Sequence, residues 1–367
     1  MFTGLFDSFK NRKSRRLYEQ SIELGARLAQ ECLFDEAIYA YSQAATSMPD
    51  DAYPLHRLGE LYTKIGKYDE AVAAYKKALT ISQDNDIAYQ GLSEVYLLME
   101  KYDDAIRALS QVLAIKPRHA KAHRSLAKIY EGLNRYEDAM AEYKKSIALE
   151  PSAYDAQFQF GMICQKLERY GEAMKAYEHA VELKPDFADA FYKLGVIYAK
   201  LHRYQDAIEA YRQAIRLKPD YIEAHYNLGV NYHRMTRYED AIDVYKQAIR
   251  INPEFADAHH NLGVAYVSMN KMDDAIRSYK NAILCKPEFV DAYYNLSAAY
   301  RRVRRFEEAV QSYKHAIRLK PEYAEAHYKL GQLYLMLGDK ASALSEYKIL
   351  QGINPVMADK LFNELYK

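Results

Sequence analysis

The sequence predicts an all-α solenoid of tandem helix-turn-helix repeats. Three observations lead to this prediction: the sequence resembles itself every 34 residues, two positions of the repeat carry only small residues, and a third carries proline in most repeats. Self-similarity at such a period is typical of a solenoid, because one unit cannot bury its apolar face alone and stacks on its neighbours.

The repeat is clearest where the segments 187–220, 221–254 and 255–288 align without a gap. The same register extends in both directions without an insertion. It predicts one continuous array over residues 18–357, and positions within a unit are numbered from 1 to 34. The ten units begin at residues 18, 52, 86, 120, 154, 188, 222, 256, 290 and 324.

Small residues at positions 8 and 20 predict two helices in close antiparallel contact within each unit. A larger side chain there would overpack the interface, at a cost of about 1–3 kcal/mol per site. Position 20 is alanine in every unit, from Ala37 to Ala343. Position 8 holds Gly25, Gly59, Ser93, Ala127, Gly161, Gly195, Gly229, Gly263, Ser297 and Gly331.

The second helix of each unit has its own start and stop signals. Position 17 is usually aromatic, position 24 is mostly tyrosine, and acidic pairs such as Asp69 and Glu70 follow position 17, where carboxylates complement the helix dipole. Proline occupies position 32 in nine of the ten units, for example Pro219. Because proline cannot continue a helix, it ends the unit.

With its Leu-Gly pairs at 24–25, 58–59, 194–195, 228–229, 262–263 and 330–331, the pattern resembles the tetratricopeptide repeat (TPR) over nearly all of residues 18–357. The resemblance implies a right-handed superhelix whose concave groove is lined mainly by the first helix of each unit. It also implies a protein-interaction scaffold rather than an enzyme.

The two ends carry segments outside the array. Residues 1–17 form a basic amphipathic segment, with Phe2, Leu5, Phe6 and Phe9 on one helical face and lysines and arginines after them. Residues 1–16 could contact a membrane surface peripherally, cap the first unit or hang free. Residues 358–367 place four apolar side chains at helical spacing and predict a capping helix, with a dimerisation surface as the alternative.

Composition narrows the partner class and the compartment. Lys and Arg number 51 against 50 for Asp and Glu, which argues against a nucleic-acid binder. The three cysteines, Cys32, Cys164 and Cys285, are too far apart in sequence for a disulfide framework and favour a reducing compartment. We therefore expect a cytoplasmic protein, peripheral to a membrane if the N-terminal segment binds one. The oligomeric state is left open.

Candidate binding residues follow from the stripe of positions 2, 6, 9 and 13 on the first helix, which share one face. Position 6 is asparagine in three consecutive units, and an amide pairs with both backbone groups of an extended peptide. Position 2 is acidic in the same region, which also suits the helix dipole. The predicted residues are Asn227, Asn261, Asn295, Asp189, Glu223, Asp257 and Asp291.

These asparagine and aspartate ladders resemble those lining the repeat domain of O-linked N-acetylglucosamine transferase, and they imply binding of extended peptide segments. The sequence holds no glycosyltransferase domain. Basic residues at position 13 are predicted to grip acidic side chains of a ligand, or to complement the helix C-terminus as solvated side chains. They are Lys200, Arg234 and Arg302.

No pattern for catalysis, a cofactor or a metal stands out. The glycines sit singly inside helices rather than in a phosphate-binding loop, and His123, His225, His259 and His327 all occupy position 4, a packing site. The predicted function is a non-catalytic scaffold that binds an extended segment of a partner protein. The alternatives are a membrane-associated assembly factor and a targeting subunit of a separate enzyme, such as a glycosyltransferase.

Overall fold

Helices in tandem pairs make up the regular structure of this protein. The computed structural model describes the backbone of residues 2–366 and the side chains of residues 13–366, and within that backbone no β-strand occurs. The chain divides into two compact units, unit 1 (Met1–Leu183) and unit 2 (Lys184–Lys367). The predicted all-α repeat solenoid is confirmed.

Unit 1 contains five helix pairs. Its first helix is a single long element that contains both the predicted N-terminal segment from residue 2 onward and the first helix of the first repeat. The helices are α1 (Phe2–Gln30), α2 (Phe34–Ser47), α3 (Tyr53–Lys64), α4 (Tyr68–Ile81), α5 (Asp86–Leu98), α6 (Tyr102–Ile115), α7 (Ala120–Gly132), α8 (Tyr136–Leu149), α9 (Tyr154–Lys166) and α10 (Tyr170–Leu183).

Unit 2 contains five further pairs and a terminal helix that begins at Pro355, three residues before the predicted capping segment. The helices are α11 (Ala188–Lys200), α12 (Tyr204–Leu217), α13 (Ile222–Arg234), α14 (Tyr238–Ile251), α15 (Ala256–Ser268), α16 (Met272–Cys285), α17 (Val290–Arg302), α18 (Phe306–Leu319), α19 (Ala324–Met336), α20 (Lys340–Ile353) and α21 (Pro355–Leu365).

In most helix pairs the tyrosine ring at position 24 packs into a slot beside the small residue at position 8. The predicted reason for glycine at position 8 was close approach of two backbones, but the neighbour is instead the ring of the tyrosine at position 24. A Cβ built on Gly229 would lie 2.5 Å from Cε1 of Tyr245, and one on Gly195 would lie 2.7 Å from Cε1 of Tyr211. The alanine at position 20 is fully buried in all ten repeats, from Ala37 to Ala343.

The turn between the paired helices is left-handed at position 15 in every repeat. Only Gly66 and Gly338 are glycines there, while Thr236 adopts a φ of 59°. The next backbone N–H then closes the helix end, as where Arg237 donates to the carbonyl of Tyr232 at 2.9 Å. The backbone geometry of the turn is thus kept even where the residue type does not favour it.

The second helices other than α10 end in an extended residue at position 31. Lys218, which precedes Pro219, has φ −134° and ψ 88°. Ser82 is followed by no proline and still adopts φ −132° and ψ 101°. At that junction the Asn85 side chain caps α5 by accepting a hydrogen bond from the backbone N–H of Ala88 at 3.0 Å.

The last repeat fills its slot differently. Here Leu361 of α21 occupies the space beside Gly331, where a Cβ would lie 2.5 Å from Cδ2 of the leucine. The ring of Tyr347, at position 24, packs instead on Phe362 with centroids 5.4 Å apart. The terminal helix therefore covers the last pair with its own apolar side chain.

Candidate functional site

The predicted binding residues of unit 2 lie on one continuous face. Neighbouring first helices contact each other in the order α11, α13, α15 and α17, so their outward side chains stand side by side. We call this surface the first-helix face of unit 2. It consists of repeat positions 2, 5, 6, 9, 12 and 13 in the repeats that begin at 188, 222, 256 and 290.

Aromatic rings at position 5 form the base of this face. The ring of Tyr226 packs on Tyr245 of its own repeat at 6.1 Å and on Phe255, just before the next first helix, at 5.1 Å. The same two contacts recur around three other position-5 residues of unit 2, at centroid distances of 4.9–6.0 Å. These residues are Tyr192, His260 and Tyr294.

Each of the three predicted asparagines is bonded to the position-5 ring of the preceding repeat. Nδ2 of Asn227 donates to the hydroxyl of Tyr192 at 3.1 Å, and Nδ2 of Asn261 donates to the hydroxyl of Tyr226 at 2.9 Å.

Nδ2 of Asn295 lies 2.8 Å from Nε2 of His260, so the same link recurs with a histidine. One amide hydrogen of each asparagine is therefore used between repeats. One N–H and the Oδ1 atom of each remain for a ligand.

An acidic edge borders the asparagines. The side chains of Glu223, Asp257 and Asp291 are exposed, whereas Oδ1 of Asp189 accepts a hydrogen bond from the hydroxyl of Tyr221 at 2.9 Å. Burial, followed by the nearby Glu223 carboxylate, raises the pKa of Tyr192, so its hydroxyl keeps its proton. The acidic residues are thus placed beside the rings that hold the asparagines.

A basic edge lies at the C-terminal ends of the same helices. Lys200 and Arg302 are exposed, while the Arg234 guanidinium lies 5.7 Å from the ring centre of Tyr204 and 3.3 Å from its hydroxyl. Arg234 therefore packs on the preceding repeat as well as facing solvent. Burial lowers the pKa of the neighbouring His233, so this edge owes its charge at neutral pH to Lys200, Arg234 and Arg302.

The position-4 histidines are packing residues, as predicted. His225 is buried, and its Nε2 lies 2.9 Å from the carbonyl oxygen of Pro219 at the end of the preceding helix. The same bond ties His259 to Pro253 at 2.9 Å. The same contact recurs at His123 and His327, so it links the proline turn to the following first helix in four repeats.

Cys164 is also buried, and burial raises the pKa of its thiol to about 11. Within the part of the chain that the structure describes, no three His, Cys, Asp or Glu side chains come together as a metal site would require.

The N-terminal prediction falls largely on side chains outside the described residues. Phe2, Leu5, Phe6 and Phe9 are among them, so membrane contact through residues 1–16 stays a prediction. Of the described basic residues, Arg15 forms an exposed ion pair with Glu19 at 3.3 Å. Across the described helices, none has the length and apolar character needed to cross a bilayer.

Sequence reasoning missed the role of position 5. The signal was present: Tyr226, His260 and Tyr294 each stand immediately before an asparagine. Because the repeat is 34 residues long, an asparagine that bonds to the preceding repeat's ring reaches back 35 residues, not one. In Tyr226-Asn227 and in His260-Asn261 the two residues therefore take part in two neighbouring bonds of one ladder. Tyr294 ends the ladder, because position 6 of the next repeat is Lys329.

The sequence matches the family described as TPR repeat over residues 161–202, 200–235, 237–270, 265–303 and 305–338. Two further families described as tetratricopeptide repeat match residues 28–95, 65–129 and 96–159, and residues 325–355. Together the matches span most of the chain. It belongs to the tetratricopeptide repeat family.

Several solved structures are similar. The C-terminal part of a TPR repeat-containing protein from Cytophaga hutchinsonii is 18% identical, with a TM-score of 0.56 over 64% of this chain and 96% of that one. YrrB, a TPR protein with an unusual peptide-binding site, is 28% identical over 50% and 95% of the two chains, with a TM-score of 0.45.

MamA is 31% identical over 45% and 96%, with a TM-score of 0.43. No curated protein matches the sequence. The Cytophaga likeness shows the fold alone, so the function must be argued from the residues of the first-helix face.

Proposed function

We propose that unit 2 binds an extended segment of a partner protein along its first-helix face. The broad role of a protein-interaction scaffold follows from the repeat family, since tetratricopeptide repeats generally mediate contacts between proteins. The proposal adds the place and the mode of binding.

The observation that carries it is the shared geometry of three amides. Each amide donates one hydrogen bond to the preceding repeat, and this bond fixes its orientation; the three residues are Asn227, Asn261 and Asn295. The geometric hydrogen bonds of the described residues include none to their Oδ1 atoms, and the one further polar interaction is that of the His260 ring with the adjacent Asn261 amide. Each amide is therefore held ready to offer one donor and one acceptor, the pair that a peptide backbone needs.

The free energies expected for peptide binding are those of a weak site with little sequence preference. Two net hydrogen bonds of about 0.5–1.5 kcal/mol at each of three amides give roughly 3–9 kcal/mol. Ordering a flexible segment costs about 2–5 kcal/mol of this. The acidic edge (Glu223, Asp257, Asp291) and the basic edge (Lys200, Arg302) then add selection for a segment with charges of both signs.

The test uses peptides selected from a random display library against the full chain and titrated by fluorescence anisotropy. The triple variant Asn227→Ala, Asn261→Ala, Asn295→Ala should weaken binding by at least about tenfold, since every lost charge-neutral bond counts for roughly 0.5–1.5 kcal/mol. The matched control is Asn281→Ala, an exposed asparagine on the second helix α16.

A second pair of variants separates binding from packing. Tyr192→Phe with Tyr226→Phe removes two ladder bonds but keeps all the amides, so it should weaken binding less than the triple alanine variant. Peptide binding that is equal in the wild type and the triple alanine variant would refute the proposal. Melting temperatures of all variants show whether the fold is kept.

A further inference from the structure

A second site lies in unit 1, where one repeat departs from the pattern. On the first-helix face of the repeats that begin at 52, 86 and 120 there is a cleft of about 370 Å³. Its apolar wall is formed by Tyr75, Ile87, Leu97 and Leu109. Tyr75 and Leu109 are almost fully buried and form the floor, whereas Ile87 is 54% exposed.

The cleft has a cause in the sequence. Position 6 is Gly91, in the middle of α5, and position 24 of the same repeat is Leu109, whereas the other nine repeats carry tyrosine there. A glycine inside a helix costs about 0.5–1 kcal/mol relative to alanine. A Cβ on Gly91 would overlap the ring of Tyr75, so only glycine lets α5 pack this closely on that buried ring.

The charges around the cleft are unevenly paired. Glu60 is held by Arg57 and lies 3.8 Å from His56. Glu94, one turn along α5 from Gln90, forms no ion pair or hydrogen bond among the described residues. Lys121 faces the cleft from the next repeat.

Two further observations place negative charge at the Tyr75 end of the cleft. Burial is the main cause that raises the pKa of Tyr75, the Thr63 side chain opposes it, and the Glu60 and Glu94 carboxylates raise the pKa further against Arg57. Burial lowers the pKa of His56, so this imidazole adds no positive charge at neutral pH. Both carboxylates therefore act on the floor of the cleft, which is an aromatic ring.

We infer that this cleft receives a lysine or arginine side chain of a partner protein, its aliphatic stem between Ile87 and Leu97 and its charged head beside the exposed Glu94 carboxylate. Long cationic side chains bury their stems on apolar surface and keep their heads in polar surroundings.

The probe is a display library of random short peptides, selected on the immobilised full chain that carries Asn227→Ala, Asn261→Ala and Asn295→Ala, so that binding to unit 2 does not dominate the selection. Enriched peptides should carry lysine or arginine more often than the input library. Selection on Glu94→Gln or on Gly91→Ala should lose that enrichment, whereas Glu70→Gln, an exposed carboxylate on the second helix α4, should keep it. Equal enrichment on Glu94→Gln and Glu70→Gln would overturn the inference, as would the absence of any cationic enrichment.

A double-mutant cycle sharpens the result. Changing the cation of one enriched peptide to glutamine should weaken its binding by about tenfold or more, because hydrogen bonds to charged groups are among the stronger ones. The loss should be similar for Glu94→Gln with the original peptide, and the two changes together should cost little more than either alone. Additive losses would overturn the inference. The triple asparagine variant of unit 2 should leave this binding unchanged, so the two sites are tested separately.

Discussion

Glycine at position 8 can be tested most sharply with Gly229→Ala. The new Cβ would lie 2.5, 2.8 and 2.9 Å from Cε1, Cδ1 and Cζ of Tyr245, all closer than carbon atoms approach without a shift. Tyr245 is buried to within 1% of its surface and cannot swing aside freely. Overpacking of this kind costs about 1–3 kcal/mol.

Two effects reduce the expected cost. Alanine is intrinsically better than glycine inside a helix by about 0.5–1 kcal/mol. In addition, Ala127 and Ser297 already occupy position 8 beside Tyr143 and Tyr313, so a pair can adjust to a Cβ. We therefore expect Gly229→Ala to lower the free energy of unfolding by roughly 1 kcal/mol, at the lower end of the range.

The assay is urea unfolding followed by circular dichroism, with hydrogen exchange of α13 and α14 to localise the effect. The control is Gly132→Ala at the end of α7, where a Cβ meets no atom within 4 Å and should raise stability. The double variant Gly229→Ala, Tyr245→Leu imitates the natural pair Ser93 and Leu109. In the Tyr245→Leu background, Gly229→Ala should lower the free energy of unfolding by less than it does in the wild type. If Gly229→Ala stabilises the chain as much as Gly132→Ala, the slot argument is wrong.

Three further predictions concern the ladder, the turn and a buried histidine. Asn261→Ala and Tyr226→Phe should each lower stability by about 0.5–1.5 kcal/mol without any ligand, and together by little more, in urea unfolding. Thr236→Gly should raise the melting temperature, because a β-branched residue at φ 59° is strained by about 1 kcal/mol; an unchanged or lower value would contradict this. Burial by itself would lower the pKa of His327, but the Glu346 carboxylate and the Pro321 carbonyl more than offset it and raise the pKa. Protonated His327 should therefore stabilise the fold below about pH 6.5, an advantage lost as pH rises through the folded-state pKa; NMR titration of His327, with Glu346→Gln as the comparison, tests this.

Much of the fold could be predicted because the same residue types recur at the same positions in most of the ten repeats. Position 20, position 24 and the proline at position 32 place both helices of every pair within a few residues. The left-handed turn at position 15 is only weakly indicated by the sequence, because glycine or asparagine stands there in four repeats and residues such as Thr236 argue against it in others. The backbone there is fixed by the packing of the two helices and the hydrogen bond that closes the first of them.

The sequence predicts which positions form the candidate site, but it does not predict the hydrogen bonds between their side chains. Periodicity places Asn227, Asn261 and Asn295 on one face, since residues at one repeat position stack. It does not say that each reaches back to a ring of the preceding repeat, because that contact depends on how adjacent first helices are spaced. The cleft beside Gly91 is a similar case: the missing tyrosine is visible in the sequence, but the space it leaves is set by Tyr75.

The most direct test of the central claim is a photocrosslinking experiment on the full chain with a selected peptide. A benzophenone amino acid placed at Val230, at position 9 of the first-helix face, should crosslink to the peptide, and the triple asparagine variant should abolish the product. The same group at Asp243, exposed on the second helix α14, should give none. Equal crosslinking from both positions, or crosslinking from Asp243 alone, would contradict the account.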